Sequence, residues 1–257
     1  MYVGTSGYSY EDWKGPFYHE KTDRSNMLEF YSREFNFTEI NSTYYKMPNI
    51  FMFFNLSKKT PDNFRFSVKL HDSMTHEKTA SKDDYMKFNE ALKPITDNGK
   101  LGCVVAQFPY SFHYTPENIH YISKIKENIL DIPLCIEFRN QEWNNADIYK
   151  KLSQEQIGYV CVDEPDIKGL VKPISVVTSN IGYVRFHGRN CEKWYNHKEA
   201  YERYDYLYGE DTLKDWVSRI NFINDNTDFT FIAFNNHFKA QAAVNARMLQ
   251  RLLDSLI

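Results

Sequence analysis

The sequence YVRFHGR at positions 183–189 carries the side chains best suited to chemistry in this chain. Its even positions are mostly apolar, whereas its odd positions include Arg185, His187 and Arg189. Because the side chains of a β-strand alternate between two faces, these three are predicted to share one face of a half-buried strand. Guanidinium groups bind carboxylates and phosphates through paired hydrogen bonds, so the two arginines are predicted to form an anion site with Asn235. His187 and Arg185 would stabilise charge on a bound substrate.

Carboxylates at the ends of other apolar segments are candidates for acid–base catalysis. Glu39 and Glu137 are the first two and Asp163 is the third, since proton transfer needs carboxylates in different environments. Arg139 lies two residues beyond Glu137, on the same predicted face, and would hold that glutamate ionised. Glu39 is followed two residues later by Asn41 instead of an arginine, so it is the better candidate for the proton carrier. The alternative is that Glu137 simply forms a structural ion pair with Arg139 or Arg185.

Further polar side chains lie at strand ends, where they would bind a ligand rather than move protons. Charged groups are costly to bury unless they are paired, so polarity at so many strand ends favours a ligand site over a structural network. The cationic members suit a small anionic ligand, phosphorylated or carboxylated, and Gly188 would let the backbone approach it closely. The predicted binding residues are Asn41, Lys69, Gln107, Arg139, Arg185, Arg189, Asn235, Asn236 and His237.

No metal and no cofactor is predicted for this site. The four cysteines, at positions 103, 135, 161 and 191, lack the C-x-x-C spacing of zinc and redox sites, and no H-E-x-x-H occurs. Histidines and carboxylates from separate strands could still converge on a metal, but the neighbouring arginines disfavour a cation. The G-x-G-x-x-G of dinucleotide sites and the G-x-S-x-G of serine hydrolases are also absent from the sequence.

Apolar and helical segments alternate along the chain, which predicts a single (β/α)8 TIM barrel over residues 1–257. A doubly wound open sheet is the alternative. In a barrel the apolar parity of each strand should pack under the helices, so Glu39, Glu137, Asp163 and the other polar strand-end residues should face the interior. Residues 164–182 show no helical pattern, so the crossover after strand six is expected to be irregular. Strand character occurs at 2–6, 37–43, 65–71, 102–108, 133–139, 158–163, 183–188 and 228–236. Helical periodicity is clearest at 24–35, 81–96, 115–130, 209–225 and 238–255, and weaker at 50–59 and 145–155.

The composition argues against two classes of partner. The 257 residues are 42% hydrophobic and 25% charged, and their net charge of -3 gives no general attraction to nucleic acid or to an anionic membrane. No segment resembles a signal peptide or a bilayer span, so we expect a cytoplasmic protein with no membrane partner. The sequence does not predict an oligomeric state.

An aromatic and basic stretch, residues 191–208, allows a second interpretation of the function. Its aromatic side chains alternate with lysine, histidine and arginine, and such a pattern can stack on bases and contact phosphates. Stretches of this kind also pack as a lid over a barrel mouth, and the acidic residues within it oppose a polyanion. Nucleic acid is therefore the less favoured partner.

Several short motifs follow one another in order along the chain. They include GTSGYSY at 4–10, EINSTY at 39–44, QFP at 107–109, EFR at 137–139, YVRFHGR at 183–189 and FNNH at 234–237. In these motifs the chain resembles the DUF72 (YecE-like) family of TIM-barrel proteins over nearly its whole length. Tyr8 departs from the pattern, because members often carry tryptophan there. The resemblance implies the barrel and implies no particular activity.

The residues together predict an enzyme that acts by acid–base chemistry on a small anionic metabolite at the C-terminal face of the barrel. Analogy with other barrels favours a hydrolase, an isomerase or a lyase. One alternative is a protein that binds or processes nucleic acid through residues 191–208, which salt-dependent binding of oligonucleotides would support. The other is a small-molecule-binding protein without catalysis, which would hold its ligand and never convert it.

Overall fold

Eight parallel strands form one closed barrel in the computed structural model, which describes residues 1–255. The strands pair in chain order and the first also pairs with the last, so the sheet has no free edge. This arrangement confirms the predicted barrel and excludes the open sheet. The strands are β1 Tyr2–Ser6, β2 Phe37–Ile40, β3 Arg65–Lys69, β4 Leu101–Gln107, β5 Leu134–Glu137, β6 Gly158–Asp163, β7 Ile181–Phe186 and β8 Phe229–Phe234.

Several of the α-helices begin at a residue whose side chain caps the first turn. Thr115 accepts a hydrogen bond from the N–H of Asn118 ahead of a first-turn proline, Pro116. Ser81 and Asp84 form a capping box. No helix within residues 1–255 is both long and apolar enough to cross a membrane. The helices are α1 Met27–Glu34, α2 Ser42–Tyr45, α3 Ile50–Lys58, α4 Asp72–Thr75, α5 Lys82–Asp97, α6 Pro116–Asn128, α7 Ala146–Gln154, α8 Glu210–Asp225 and α9 Gln241–Asp254.

The connection between β6 and β7, residues 164–180, contains no helix, as the sequence predicts. Thr178 attaches it to β6, because its hydroxyl donates to the carbonyl of Ile157 at 2.6 Å and accepts the N–H of Tyr159 at 2.8 Å. The backbone polar groups next to this crossover are thus satisfied without a helix. Short 3-10 helices occupy other loops at Glu11–Trp13, Arg24–Asn26, Gln141–Trp143, Ala200–Tyr204 and Phe238–Ala240.

Aromatic side chains fill the lower, N-terminal half of the barrel. The ring of Phe231 lies 5.0 Å from that of Phe37, 5.3 Å from that of Tyr2 and 6.1 Å from that of Tyr183. The hydroxyl of Tyr183 accepts a hydrogen bond of 2.7 Å from Ser67. Tyr183 therefore joins a packed apolar floor to a polar upper half, and the polar side chains above it rest on a close-packed base.

Strand β6 presents the opposite face from the one predicted. Val162 pairs with Arg185 of β7, and Asp163 pairs with Phe186. Paired residues of neighbouring strands point to the same face, so Asp163 faces the helix layer. Its oxygens accept hydrogen bonds from Trp216 Nε1 at 2.7 Å and from the Tyr208 hydroxyl at 2.8 Å. The prediction that Asp163 faces the barrel interior is therefore wrong.

Candidate active site

An ion-pair network around Arg185 fills the upper half of the barrel. Its Nη2 lies 2.7 Å from Oε1 of Glu39, and its Nη1 donates to Oε2 of Glu137. The second oxygen of Glu39 accepts a hydrogen bond of 2.7 Å from the Tyr183 hydroxyl. These three charged residues are at most 2% exposed. Unpaired charge at this depth is unfavourable, so each group depends on its partners.

The protonation states of this network follow from the contacts. Burial alone raises the pKa of Glu137, but Arg139 and Arg185 outweigh burial and hold that pKa well below its usual range. Burial lowers the pKa of Arg185, and Glu137 and Glu39 outweigh it, so the guanidinium stays charged. Glu137 is thus ionised at neutral pH. An ionised Glu137 fits the alternative of a structural ion pair with Arg139 and Arg185, and it does not fit the role of a proton carrier.

Arg139 links the network to a carboxylate that the strand pattern does not single out. Its Nε lies 2.8 Å from Oε1 of Glu137, and its Nη1 lies 2.8 Å from Oε2 of Glu164. The second oxygen of Glu164 accepts the N–H of Val171 at 3.0 Å. Burial raises the pKa of Glu164 to about 7, although Arg139 opposes the rise. Glu164 occupies the inward position predicted for Asp163, one residue earlier.

His187 lies beside Glu137 in a fully buried position. Its Nδ1 lies 3.1 Å from Nδ2 of Asn235 and 3.4 Å from Nη2 of Arg139. With donors on that side, the ring proton is assigned to Nε2, which lies 3.2 Å from Oε1 of Glu137. Burial, reinforced by Arg139, lowers the pKa of His187 to about 3. His187 is therefore neutral at neutral pH, and it accepts hydrogen bonds at Nδ1 rather than supplying a charge.

Lys69 differs from the arginines because its amine has no carboxylate partner. Its Nζ donates to Oε1 of Gln107 at 2.8 Å and lies 4.2 Å from the ring centroid of Tyr44. Within residues 1–255 it forms no salt bridge at 4.0 Å or less. Burial, reinforced by Arg185, lowers the pKa of Lys69 to about 7, although Glu137 opposes this. About half of the amine is therefore uncharged near neutral pH.

Lys69 opens into a cavity of about 340 Å³ at the C-terminal ends of the strands, here called the mouth cavity. Lys69, Arg139 and Arg203 supply its cationic side chains, and none of the described residues that line it is an aspartate or a glutamate. The field at its surface therefore favours an anion. The remaining lining residues are Tyr44, Tyr45, His76, Gln107, Pro109, Tyr110, Leu170, Trp194, Tyr195 and Tyr204.

Part of the stretch 191–208 covers the mouth cavity. Trp194 is 3% exposed, and its ring lies 5.6 Å from the guanidinium carbon of Arg139 and 5.3 Å from that of Arg203. Cations are attracted to the face of an indole ring, so these contacts hold the tryptophan against the barrel. The Nε of Arg203 also donates to the carbonyl of Trp194 at 2.8 Å. This placement matches the lid interpretation of the stretch.

The structure brings eight of the predicted residues together beneath and around the mouth cavity. Asn41 lies to one side of them, where it lines a neighbouring cavity of about 630 Å³ that also reaches Glu39. The charges of the group influence one another, since those on Arg185, Glu137 and Glu39 all act on the amine of Lys69. The eight are Glu39, Lys69, Gln107, Glu137, Arg139, Arg185, His187 and Asn235.

Asn236 and His237 lie outside this group. The Nδ2 of Asn236 donates to the carbonyl of Tyr206 at 2.8 Å, so this amide attaches the covering stretch to the end of β8. The ring of His237 stacks on that of Tyr10, with centroids 4.6 Å apart. Neither residue lines the mouth cavity. In this structure both residues support the loops around the mouth, and their role in ligand binding stays a prediction.

Arg189 also lies outside, and the expected anion site of Arg185, Arg189 and Asn235 is not formed. The Nε and Nη2 of Arg189 pair with the two oxygens of Asp163 at 2.8 and 2.5 Å. Strand β7 already ends at Phe186, and the next glycine, at 188, has φ of +88°. This left-handed residue turns the chain before Arg189, so the period of two no longer applies there.

The whole chain matches one protein family. The model of the family described as "Protein of unknown function DUF72" matches residues 2–256. The chain belongs to the DUF72 family. It is 31% identical over 273 aligned residues to the UPF0759 protein YunF of Bacillus subtilis (strain 168), and the match covers 99% of this chain and 95% of YunF.

Two solved DUF72 structures have the same fold. A DUF72 family protein from Thermotoga maritima MSB8 is 37% identical, with a TM-score of 0.91 and 98% of each chain covered. Another, from Enterococcus faecalis V583, is 26% identical, with a TM-score of 0.88 and coverage of 98% of this chain and 95% of that one. These matches confirm the resemblance and the barrel, and neither name states an activity.

Two lining residues of this DUF72 barrel, Tyr44 and His76, are not among the predicted site residues. Their rings meet edge to face with centroids 5.0 Å apart, and burial, reinforced by Lys69, lowers the pKa of His76 to about 4. Residues 37–43 are predicted as strand, but β2 ends at Ile40 and the chain turns into the short helix α2. That turn places Tyr44 over Lys69. The EINSTY motif is the only sequence signal for it.

Metal ligands are not grouped in the described part of the DUF72 chain. Within residues 1–255 no three His, Cys, Asp or Glu side chains are arranged to hold a metal ion. The carboxylates of Glu39 and Glu137 instead accept hydrogen bonds from Arg185, and Asp163 accepts them from Trp216. The absence of a bound metal in the protein stays a prediction, which elemental analysis can test.

Proposed function

We propose that the mouth cavity is the active site of an enzyme that binds a small anionic metabolite and moves a proton through the amine of Lys69. The observation that carries this proposal is an amine next to a cavity, with no carboxylate within 4.0 Å in residues 1–255. Burial lowers the pKa of Lys69 to about 7. A group with such a pKa exchanges protons efficiently at neutral pH.

The other charged residues have supporting roles in this proposal. Arg203 binds the carboxylate or phosphate of the substrate, because guanidinium groups offer charge-assisted hydrogen bonds. Arg139, whose Nε and Nη1 already pair with Glu137 and Glu164, adds positive charge beside it. Glu39 and Glu137 neutralise Arg185 beneath the cavity, and so they carry no proton themselves. Trp194 excludes water from above, which strengthens electrostatic contacts inside the cavity.

The test is anion binding by wild-type protein and by two arginine variants, measured calorimetrically with malonate and inorganic phosphate. Arg203→Gln removes a cation from the mouth cavity, and Arg219→Gln is the matched control. Arg219 also lies over an indole ring, 5.6 Å from that of Trp216, and also donates to a backbone carbonyl, but it does not line the cavity. Losing one charge-assisted hydrogen bond should weaken binding about tenfold or more in Arg203→Gln.

Arg219→Gln should bind both anions like the wild-type protein. Equal binding by all three proteins would contradict the proposal, as would equal binding of malonate and its neutral diamide by the wild type. The two alternative functions give other results. Tight oligonucleotide binding that falls steeply with salt would support the nucleic-acid interpretation. A metabolite that binds through Arg203 and is recovered unchanged would support the binding protein.

A further inference from the structure

We propose that Lys69 is a nucleophile that captures the carbonyl carbon of a small oxo acid as a Schiff base. This inference rests on the proposed function, because the substrate's carboxylate would be held by the cations of the same mouth cavity. It goes further by assigning covalent chemistry and by naming the substrate class, an aldehyde or ketone that also carries an anionic group.

The surroundings of the amine suit a nucleophile. Gln107 Oε1 accepts one hydrogen of Nζ at 2.8 Å, and the ring of Tyr44 covers another side at 4.2 Å. The remaining direction opens into the mouth cavity. A neutral amide holds the nitrogen in place without stabilising the ammonium form as a carboxylate would.

The amine is also available in its reactive form. Burial lowers the pKa of Lys69 to about 7. The free-amine fraction near neutral pH is then about a thousandfold larger than that of an ordinary lysine, whose pKa is near 10.4. Lys100 is also buried, but its surroundings differ. Its amine donates to the carbonyls of Ser57 and Thr60, each at 2.7 Å, and these acceptors occupy the nitrogen.

The chemical step balances without any further reagent. The lone pair of Nζ forms a bond to the carbonyl carbon, and the electron pair of the C=O bond moves to the oxygen. Both protons of the free amine then leave with that oxygen as water, and a C=N bond remains. Arg139 and Arg203 line the same cavity, so a carboxylate on the neighbouring carbon would meet fixed positive charge.

The experiment traps the imine in wild-type protein with glyoxylate and sodium cyanoborohydride near neutral pH. Reduction leaves a carboxymethyl group on the trapped lysine, which peptide mass spectrometry locates. Lys78 is the internal control, because its Nζ lies 3.2 Å from the amide oxygen of Asn118 and 5.6 Å from the ring centroid of Phe112, yet the residue is exposed. Lys69 should be labelled about a hundredfold faster than Lys78, since lower basicity also reduces intrinsic nucleophilicity.

A second part of the experiment distinguishes labelling that depends on the anion site from labelling that depends only on the reactivity of the amine. Malonate should slow the labelling of Lys69 and leave that of Lys78 unchanged. Arg203→Gln should reduce labelling of Lys69 by glyoxylate about tenfold, but not labelling by the neutral glycolaldehyde. Labelling of Lys69 at the rate of Lys78 would overturn the Schiff-base inference. The proposed function would still stand in that case if malonate binding depended on Arg203. If malonate binding did not depend on Arg203 either, both the proposed function and the Schiff-base inference would be wrong.

Discussion

Arg185 on β7 and Glu39 on β2 form an ion pair across the barrel, with Nη2 2.7 Å from Oε1. Two strands, β8 and β1, separate them in the sheet, and the second nitrogen of Arg185 reaches Glu137 on β5. One guanidinium thus connects strands β2, β5 and β7. The arginine that the sequence offers as an anion ligand has both terminal nitrogens bound to the protein's own carboxylates.

Arg185→Gln should destabilise the protein by about 3–5 kcal/mol near neutral pH, because it leaves the buried Glu39 without a cation and Glu137 with Arg139 alone. The loss should be smaller near pH 5, since without Arg185 the pKa of Glu137 rises and the carboxyl can become neutral. Urea unfolding at both pH values measures the effect. Arg247→Gln is the control: Arg247 pairs with Glu34 at 2.7 Å with both side chains about 40% exposed, and its loss should cost under about 1 kcal/mol. Equal losses for the two variants would refute the structural role.

Asp163→Asn should cost about 2–4 kcal/mol and leave anion binding unchanged, because Asp163 pairs with Arg189 and Trp216 in the helix layer. Thermal unfolding with and without malonate measures both quantities. Asp166→Asn removes an exposed carboxylate that pairs with Lys172, and it should change neither. A variant of Asp163 that keeps its stability but loses malonate binding would show that the outward assignment is wrong.

The strands of this barrel could be predicted to within three residues at each end, because most of them are bounded by polar or turn-forming residues. The faces of β3, β5 and β7 could also be predicted, since polar and apolar residues alternate in them. Strand β6 offers no such alternation: GYVCVD is apolar at both parities and buried throughout. Because neither face of β6 stands out in the sequence, Asp163 is predicted as the inward carboxylate instead of Glu164.

The residues that cover the mouth cavity could not be predicted, for a different reason. Trp194 comes from a long loop and Arg203 from a short 3-10 helix within that loop, where the sequence has no regular period from which side-chain direction could be predicted. The contacts of Trp194 with Arg139 and with Arg203 depend on where the loop returns to the barrel. The composition of 191–208 could indicate a lid, but it could not assign individual residues to the mouth cavity.

Lys69→Met should stabilise the protein near neutral pH. In the folded state the pKa of Lys69 is lowered to about 7, whereas an unfolded lysine titrates near 10.4. Between these values the unfolded chain binds more protons, so stability rises with pH across this window in the wild type. The destabilisation is fully present below about pH 7 and disappears near pH 10.

In the Lys69→Met variant, the contribution of Lys69 to the pH dependence of the free energy of unfolding should vanish. Near pH 7 this free energy should be higher than in the wild type by on the order of 1–2 kcal/mol, a value reduced because the amine is partly exposed to the cavity. Urea unfolding from about pH 7 to 10 measures the slope. Lys78→Met, at an exposed lysine, should keep the slope of the wild type. A Lys69→Met variant that is less stable than wild type at every pH would indicate a structural ammonium instead.

The purified protein should contain no stoichiometric transition metal, because its buried carboxylates are already bound to cations of the chain. Glu39 and Glu137 direct oxygens at Arg185, and the fixed charge of Arg139 lies 2.8 Å from Glu137. A divalent ion among these groups would meet two guanidinium charges, which oppose its binding. Elemental analysis of protein purified without chelators should find zinc, manganese and iron far below one per chain. About one metal per chain, lost in both His187→Ala and Glu137→Ala while each variant stays folded, would replace the ion-pair network with a metal centre.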